Sequence, residues 1–331
     1  MIEPTCDVTV VIAAFNAEAT IERAIVSALM QDDVSVEVIV VDDCSRDATR
    51  EIVLAIDDPR VRLIAHGHNK GPGGARNTAF DAASGRWLAV LDADDTIYSD
   101  RLSRLVRQAE ETDADVIVDN LDIVSPQGTR RAMFAAAELS RQPWMTLEAF
   151  ISSNVLFRST YNYGYMKPVF SRSFLEEHGL RFDENLKIGE DYILLASALA
   201  VGGRCAVNPR VGYAYHLTDG SISSVLKRHH VEAMLAADTA FVRSYPLDTA
   251  TLKAQRRRRR SLEQARSFLS LIDHFKEGAI APALVTALRD PLALRHLRMP
   301  LVARLRRLIG PPSSAPRKDP PRAAGPHTSK G

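Results

Sequence analysis

The sequence predicts an α/β protein built on a mostly parallel, doubly wound sheet. Apolar, β-branched runs such as Val8–Phe15 and Val36–Asp43 alternate with stretches such as Ala17–Gln31, whose apolar residues recur at helical intervals. Strands buried on both faces have continuous apolar runs, and strand–helix alternation at this spacing is typical of parallel sheets. A composition of 46% hydrophobic and 25% charged residues over 331 residues is that of a globular protein.

The predicted elements follow one another regularly through the first 120 residues. The strands are expected at Val8–Phe15, Val36–Asp43, Val61–Ala65, Arg86–Asp92 and Asp113–Asn120. The helices between them are expected at Ala17–Gln31, after Ser45–Asp47, and after the Gly-rich segment Asn69–Asn77. From about residue 125 the pattern is irregular, and further helices are expected at 189–203, 225–245 and 249–276.

Polar side chains stand at the ends of four predicted strands. They are Phe15–Asn16, Asp42–Asp43, Asp92–Asp95 and Asp119–Asn120. Ligands of open parallel sheets bind at the carboxyl ends of the strands. A single strand-end carboxylate is often a helix cap, but four polar endings on one edge predict a binding site.

Two enzyme classes compatible with such an edge fit this sequence poorly. A dinucleotide site needs G-x-G-x-x-G in the first strand–helix turn, where this chain has AAFNAEATI without any glycine. The D-x-D-x-T of Asp92–Thr96 resembles haloacid-dehalogenase-type phosphatases, with Asp92 as nucleophile and Asp94 as acid/base. However, three strand–helix units precede this motif, and the acids of Ile188–Ile193 lack that family's spacing. The phosphatase therefore stays an alternative.

Four segments, in order, resemble the family 2 glycosyltransferases of the GT-A fold across about residues 8–224. They are VTVVIAAFNAEATIERAIVSAL, VEVIVVDDCSRDAT, NKGPGGARNTAFDAASGRWLAVLDADD and GEDYILLASAL. The segments YNYGYMKPVFSR and GEDYILLASALAVGGRCAV are similar to bacterial enzymes that build succinoglycan-type exopolysaccharides. The resemblance implies inverting transfer of a hexose, with glucose as the sugar and UDP-glucose as the donor, to a lipid-linked oligosaccharide. A non-catalytic membrane-associated binding module on the same fold is a further alternative.

The resemblance also assigns roles to individual residues. Asp191 is expected to be the base, with Glu190 beside it, and Mn²⁺ or Mg²⁺ is expected at Asp94 and Asp92. His216 is expected either to contact the metal or to be structural. The expected donor-binding residues are Ala13, Ala14, Phe15, Glu18, Asp42, Asp43, Gly74, Arg76, Asp92 and Ala93, with Asp43 preferred over Asp42 for the uracil. The acceptor-side candidates are Tyr165, Lys167 and Arg172. Asp95 is expected to cap the next helix or to support the site.

Charge divides the chain into an acidic body and a basic end. Residues 1–250 carry 24 basic and 36 acidic side chains, whereas residues 251–331 carry 18 and 5. We expect a catalytic domain over residues 1–224, a basic helical extension over 225–310, and a disordered tail over 311–331. The leucine-spaced segment Leu292–Gly310, which follows the arginine block Arg256–Arg260, is predicted to form a helix that lies on an anionic membrane surface; the alternative is a helix that packs on the catalytic domain with a solvated basic face.

The expected location is the cytoplasm, at the inner face of the membrane. No signal peptide is visible, and the apolar run Ile193–Gly203 is too short to cross a bilayer. No nucleic-acid-binding motif accompanies the basic charge, so nucleic acid is not an expected partner.

Overall fold

The computed structural model describes residues 5–158, 161–217 and 226–291, which contain one ten-stranded sheet. The strands are β1 (Cys6–Ala14), β2 (Val36–Asp42), β3 (Val61–Ala65), β4 (Gly85–Asp92), β5 (Thr96–Ile97), β6 (Val116–Val124), β7 (Arg130–Ala132), β8 (Trp144–Met145), β9 (Val169–Ser171) and β10 (Cys205–His216). The helices are α1 (Ile21–Leu29), α2 (Thr49–Leu54), α3 (Gly71–Ala82), α4 (Arg101–Thr112), α5 (Ala136–Ser140), α6 (Leu147–Ser153), α7 (Arg172–Glu177), α8 (Glu190–Ala200), α9 (Arg228–Ser244), α10 (Thr249–Lys276) and α11 (Ile280–Arg289).

The sheet is mostly parallel, as predicted. Its strand order is β3-β2-β1-β4-β9-β6-β10-β5, with β7 paired to β6 and β8 paired to β10. The pairs β3–β2, β2–β1, β1–β4 and β6–β10 are parallel. The short strand β9 lies antiparallel between β4 and β6. This insertion carries the chain that follows residue 160 into the middle of the sheet.

The centre of the sheet forms the core because its strands are apolar on both faces. Val8, Val10, Val11 and Ile12 of β1 are all fully buried. Full burial of each aliphatic side chain of this size contributes about 1.5–3 kcal/mol. A sheet this rigid fixes the positions of the residues at its carboxyl edge.

The C-terminal helices pack onto the same core. Phe241 of α9 and Ala254 of α10 belong to the main cluster of buried apolar side chains. Helix α10 spans the residues that the periodicity predicts, and its N-cap, Asp248, accepts a hydrogen bond from the Thr251 amide at 2.7 Å. The main hydrophobic core therefore continues past residue 224, where the sequence predicts a domain boundary.

The rest of the basic end cannot be compared with its prediction. Segment 292–310, predicted as an amphipathic helix, and the predicted disordered tail, 311–331, lie outside the described residues. Among the helices that are described, none is both long and apolar enough to cross a membrane.

Candidate active site

Strand register aligns three strand ends at one edge of the sheet. Ala14 of β1 lies opposite Asp42 of β2, and Ala13 lies opposite Asp92 of β4. The carboxyl ends of parallel strands share one edge, where ligands of open sheets bind. Helix α8 begins at this edge, so that its first turn brings Asp191 close to Asp92.

Four charged side chains at this edge form a closed ring, termed here the ion ring: Arg76, Asp92, Lys167 and Asp191. Arg76 donates from Nη2 to Asp92 Oδ1 at 2.8 Å and from Nη1 to Asp191 Oδ1 at 2.9 Å. Lys167 Nζ lies 2.7 Å from Asp92 Oδ2 and 3.0 Å from Asp191 Oδ2. Each carboxylate oxygen of the two aspartates therefore contacts a cation. Arg76 Nη1 also donates to Glu190 Oε1 at 2.8 Å.

The ring keeps Asp92 and Lys167 charged. Burial by itself raises the pKa of Asp92, but Lys167 and Arg76 outweigh it and hold that pKa below its usual range. Burial by itself lowers the pKa of Lys167, yet Asp191 and Asp92 raise it above normal. Burial and then Asp191 raise the pKa of Glu190, against the effect of Arg76.

Three neighbouring carboxylates could hold a metal ion. Oxygen atoms of Asp92, Asp94 and Asp95 all lie within 4.8 Å of one another. Asp95 is fully buried and accepts hydrogen bonds from the Tyr213 hydroxyl and the His216 amide, both at 2.8 Å. Asp95 thus binds β10 and supports the site, and it does not cap the next helix. Asp92 and Asp94 remain the members with most access to a ligand, and Ala93 is buried between them.

His216 lies at the end of β10 beside this cluster. Its Nε2 is 3.1 Å from Thr96 Oγ1. Burial, followed by the charges of Arg23 and Arg130, lowers the pKa of His216 to about 4. The imidazole is therefore neutral at pH 7, as a metal ligand must be.

The end of β1 presents an aromatic ring next to small side chains. Phe15 follows Ala13 and Ala14 and is 43% exposed. Glu18 lies close to the same strand end, where its Oε2 accepts a hydrogen bond from the Ala48 amide at 2.9 Å. An exposed ring at this edge can stack on a flat ligand.

The two aspartates that end β2 have different surroundings. Asp43 accepts hydrogen bonds from the Lys70 and Gly71 amides at 2.8 Å and pairs with His66 Nδ1 at 2.8 Å. Its carboxylate therefore holds the start of α3. Asp42 accepts one hydrogen bond from the Ser45 amide at 3.2 Å and lies 3.9 Å from Arg50 Nε. Of the two, Asp42 has fewer close hydrogen-bond donors.

Gly73 and Gly74 of α3 allow another segment of the same chain to pack closely against this helix. A Cβ at Gly74 would lie 2.6 Å from Lys70 Cβ and 3.5 Å from the Glu184 carboxylate. A Cβ at Gly73 would lie 3.1 Å from the Asp183 carbonyl oxygen. These glycines let the segment around Asp183 cover the start of α3, and the side of Gly74 that a Cβ would occupy faces protein.

The three acceptor-side candidates lie in different places. Tyr165 makes edge-on ring contacts with Tyr161 and Tyr215, at centroid distances of 5.5 and 5.8 Å. Lys167 belongs to the ion ring. Arg172 donates to the Gly85 carbonyl at 2.8 Å, at the opposite end of β4 from Asp92. The structure therefore separates Arg172 from the other two.

Several residues that support this edge were not predicted. Arg23 donates to the Asp94 carbonyl at 2.6 Å from the exposed side of α1. The hydroxyl of Tyr213 donates to Asp95 and accepts from the Asp92 amide at 3.1 Å. Arg101, buried with Asp119, donates to the Lys167 carbonyl at 2.7 Å. None of these long-range contacts has a local sequence pattern that could have revealed it.

Comparison with known proteins shows the family to which this chain is similar. The family described as "Glycosyl transferase family 2" matches residues 9–174. The chain is 60% identical over 328 residues to the succinoglycan biosynthesis protein ExoO of Rhizobium meliloti (strain 1021), covering 98% of this chain and 94% of that protein. It is 32% identical over 293 residues to ExoU of the same organism, covering 87% and 84%.

A third relative has a more explicit name. The UDP-Glc:alpha-D-GlcNAc-diphosphoundecaprenol beta-1,3-glucosyltransferase WfgD of Escherichia coli is 30% identical over 220 residues, covering 66% of this chain and 79% of that protein.

Two solved structures are similar in fold. TarS of S. aureus in complex with UDP-GlcNAc matches with a TM-score of 0.60 at 20% identity, covering 86% of this chain and 92% of that chain. The mannosyltransferase PcManGT of Pyrobaculum calidifontis, in complex with GDP-Man and Mn²⁺, matches with a TM-score of 0.57 at 19% identity, covering 89% and 83%. At these identities the likeness concerns the fold alone.

The sheet has the GT-A fold of these two structures. The chain belongs to glycosyltransferase family 2 and is of the succinoglycan type. Both the family and the fold predicted from the sequence are confirmed. The phosphatase and the non-catalytic module are not favoured, because the match is to a family of transferases and relatives are named as glucosyltransferases.

Proposed function

We propose that this protein is an inverting, metal-dependent glucosyltransferase that moves glucose from UDP-glucose to a lipid-linked oligosaccharide during exopolysaccharide synthesis. The observation that carries the proposal is the ion ring, because it joins the donor-side carboxylate, Asp92, to the acceptor-side carboxylate, Asp191, through two cations. The name of the relative WfgD supports a UDP-glucose donor and a diphosphoundecaprenol-linked acceptor. The likeness to ExoO supports a role in polysaccharide synthesis.

A divalent cation fits the acidic cluster chemically. Mg²⁺ and Mn²⁺ prefer carboxylate oxygens and keep several non-protein ligands, and the oxygens of Asp92, Asp94 and Asp95 lie within 4.8 Å of one another. Because Asp95 is engaged by β10, we assign Asp94 and Asp92 as the main ligands and His216 as a further candidate. When bound, the ion offsets the negative charge of the leaving diphosphate.

Asp191 is proposed as the general base. It accepts the proton of the acceptor hydroxyl as that oxygen attacks the anomeric carbon and the bond to the diphosphate breaks. Attack from the face opposite the leaving group inverts the configuration. Arg76 and Lys167 orient the Asp191 carboxylate, while Glu190, buried against Arg76, helps to hold that guanidinium in place.

The nucleoside is proposed to bind at the ends of β1 and β2. Phe15 offers an exposed ring beside Ala13, Ala14 and Glu18. We now prefer Asp42 to Asp43 for the uracil, since Asp43 already accepts two backbone hydrogen bonds. The proposed donor residues are then Ala13, Ala14, Phe15, Glu18, Asp42, Arg76, Asp92 and Ala93.

The acceptor sugar is proposed to bind on the tyrosine side of the ring. Tyr165 and its neighbours Tyr161 and Tyr215 are partly exposed aromatic residues on the chain segments that carry Lys167 and His216. Aromatic faces bind the apolar faces of sugars. Lys167 is proposed to act in the ion ring instead of binding the acceptor directly, and Arg172, at the opposite end of β4, is not proposed to contact the acceptor.

Contact with the inner face of the cytoplasmic membrane is also part of the proposal. Segment 292–310 combines regularly spaced leucines with five arginines, a composition that favours anionic lipid surfaces. A lipid-linked acceptor would lie on the same surface.

Thermal unfolding with a panel of nucleotide sugars tests the donor. With Mn²⁺ present, UDP-glucose at a hundred times its Kd is expected to stabilise the protein by about 2.7 kcal/mol, with little effect from GDP-mannose. The β configuration of the transferred glucose, read by NMR, tests inversion. Stabilisation by GDP-mannose but not by UDP-glucose would contradict the proposed donor.

A further inference from the structure

The two long C-terminal helices contact the turn that carries the proposed base. Gly189 precedes Glu190 and Asp191 and has a φ of 92°, a left-handed conformation that glycine adopts without strain. A Cβ at Gly189 would lie 3.4 Å from the side chain of Met234 in α9. Met234 therefore packs directly against the start of α8.

A buried arginine of α10 contacts the next residue of the same turn. The guanidinium of Arg258 lies 3.5 Å from the ring centroid of Tyr192, which immediately follows Asp191. Arg258 Nε donates to Asp238 Oδ2 of α9 at 3.0 Å, and Nη1 donates to the Asn154 carbonyl at 3.0 Å. The ring of Phe150 also stacks on Tyr192, with the ring centroids 5.3 Å apart. The Tyr192 ring therefore has a fixed position between α6 and α10.

Arg258 differs from its neighbours in the arginine block. Within Arg256–Arg260, all of which the structure describes, Arg258 is 3% exposed and the other four are exposed. Its partner Asp238 is also buried. A buried pair of this kind tolerates few geometries, because each charge must keep its partner. The block is therefore more than a basic surface, since one of its members is part of the interior.

We propose that Arg258 is a positioning residue for the base: by clamping Tyr192 from α10, it fixes the first turn of α8 and keeps Asp191 in the ion ring. Arg258 touches neither substrate nor metal and acts through Tyr192. The inference that this turn is held by Arg258 stands on contacts alone, whereas its catalytic consequence rests on the proposed role of Asp191. A base displaced by about 1 Å can cost about a hundredfold in rate.

Hydrogen exchange in the full-length protein tests the clamp. The Ile193 amide donates to the Gly189 carbonyl, so the amides of residues 193–195 report on the first turn of α8. In Arg258→Met we expect these amides to exchange at least about tenfold faster, with β1 and β4 unchanged. Arg257→Met, which removes an exposed arginine next to it, is the matched control and should exchange as wild type does.

Kinetics give the second measurement. With UDP-glucose, Mn²⁺ and water as the acceptor, Arg258→Met is expected to lose about tenfold or more in kcat, while KM for UDP-glucose changes by less than about twofold. Arg258→Lys keeps the charge but not the planar stack on Tyr192. Its kcat should therefore lie between those of wild type and Arg258→Met. If Arg258→Met fails to fold, Arg258→Lys and Met234→Ala serve for the exchange measurement.

Two results would overturn the inference. One is wild-type exchange at residues 193–195 in a folded Arg258 variant. The other is uniformly faster exchange that includes β1 and β4, which would assign Arg258 to general stability. Should wild-type protein not turn over UDP-glucose, the donor assignment would fail, yet the exchange result would still decide whether Arg258 holds the turn.

Discussion

Replacing Lys167 with methionine removes one cation of the ion ring while keeping an unbranched side chain that is one atom shorter. Lys167 Nζ lies 2.7 and 3.0 Å from the oxygens of Asp92 and Asp191, and its side chain is 9% exposed. Removing one partner of a buried ion pair costs about 3–5 kcal/mol, because the remaining charge stays buried without compensation. The Asp92 and Asp191 side chains are 23% and 20% exposed, so water can reach them, and we expect the lower end, about 3 kcal/mol.

Thermal unfolding measures this loss. At about 2 °C per kcal/mol for a large chain, Tm should fall by about 6 °C. Mn²⁺ should raise Tm more in Lys167→Met than in wild type, because the ion supplies positive charge next to Asp92. Lys253→Met, at an exposed position of α10, is the control and should unfold with wild-type Tm. A Lys167→Met protein with wild-type Tm and a wild-type response to Mn²⁺ would show that Lys167 does not neutralise Asp92 and Asp191.

Three further predictions concern the metal, the nucleoside and acid stability. Asp94→Asn should abolish the Mn²⁺-dependent rise in Tm and slow UDP release from UDP-glucose by about a hundredfold or more; retention of both would remove Asp94 from the metal site. Phe15→Ala should weaken UDP binding about tenfold in calorimetry through loss of stacking. An unchanged Kd would argue against a uracil ring stacked on Phe15. Hydrogen bonds from Ser35 and then Arg86 lower the pKa of Asp7 from 3.8 to about 2, so its contribution to stability is complete above pH 3.8 and is lost as the pH falls towards 2. Urea midpoints of wild type and Asp7→Asn should therefore differ at pH 6 and converge as the pH falls from 3.8 towards 2, and a constant difference would contradict the assigned shift.

The parallel half of the sheet could be predicted because each of its strands has a sequence pattern of its own. Strands such as Val36–Asp42 are continuous apolar runs, and their carboxylates stand directly at the strand ends. The acids of the site could be found in the same way, since Asp92, Asp94 and Asp191 each lie within a short motif. Helix α10 was predicted over residues 249–276, and the structure places it at Thr249–Lys276.

The remaining features depend on contacts between distant residues. The three-residue strand β9 is too short to have a pattern of its own, yet it brings Lys167 next to Asp92. Gly74 lies in a Gly-rich segment whose composition is typical of a ligand-binding loop. However, the space that a Cβ at Gly74 would need is filled by Lys70 and Glu184. Arg258 cannot be distinguished by sequence from its four arginine neighbours, because only the packing of α10 decides which of them is buried.

The decisive measurement for Asp191 as the base is the rate of UDP release from UDP-glucose by Asp191→Asn. Asparagine is close to aspartate in size but cannot accept the proton of the acceptor hydroxyl. With Mn²⁺ present, we expect the variant to bind UDP as wild type does and to turn over UDP-glucose about 10²–10⁴-fold more slowly. Turnover at the wild-type rate, in a variant that still binds UDP, would contradict the assignment of Asp191 as the base.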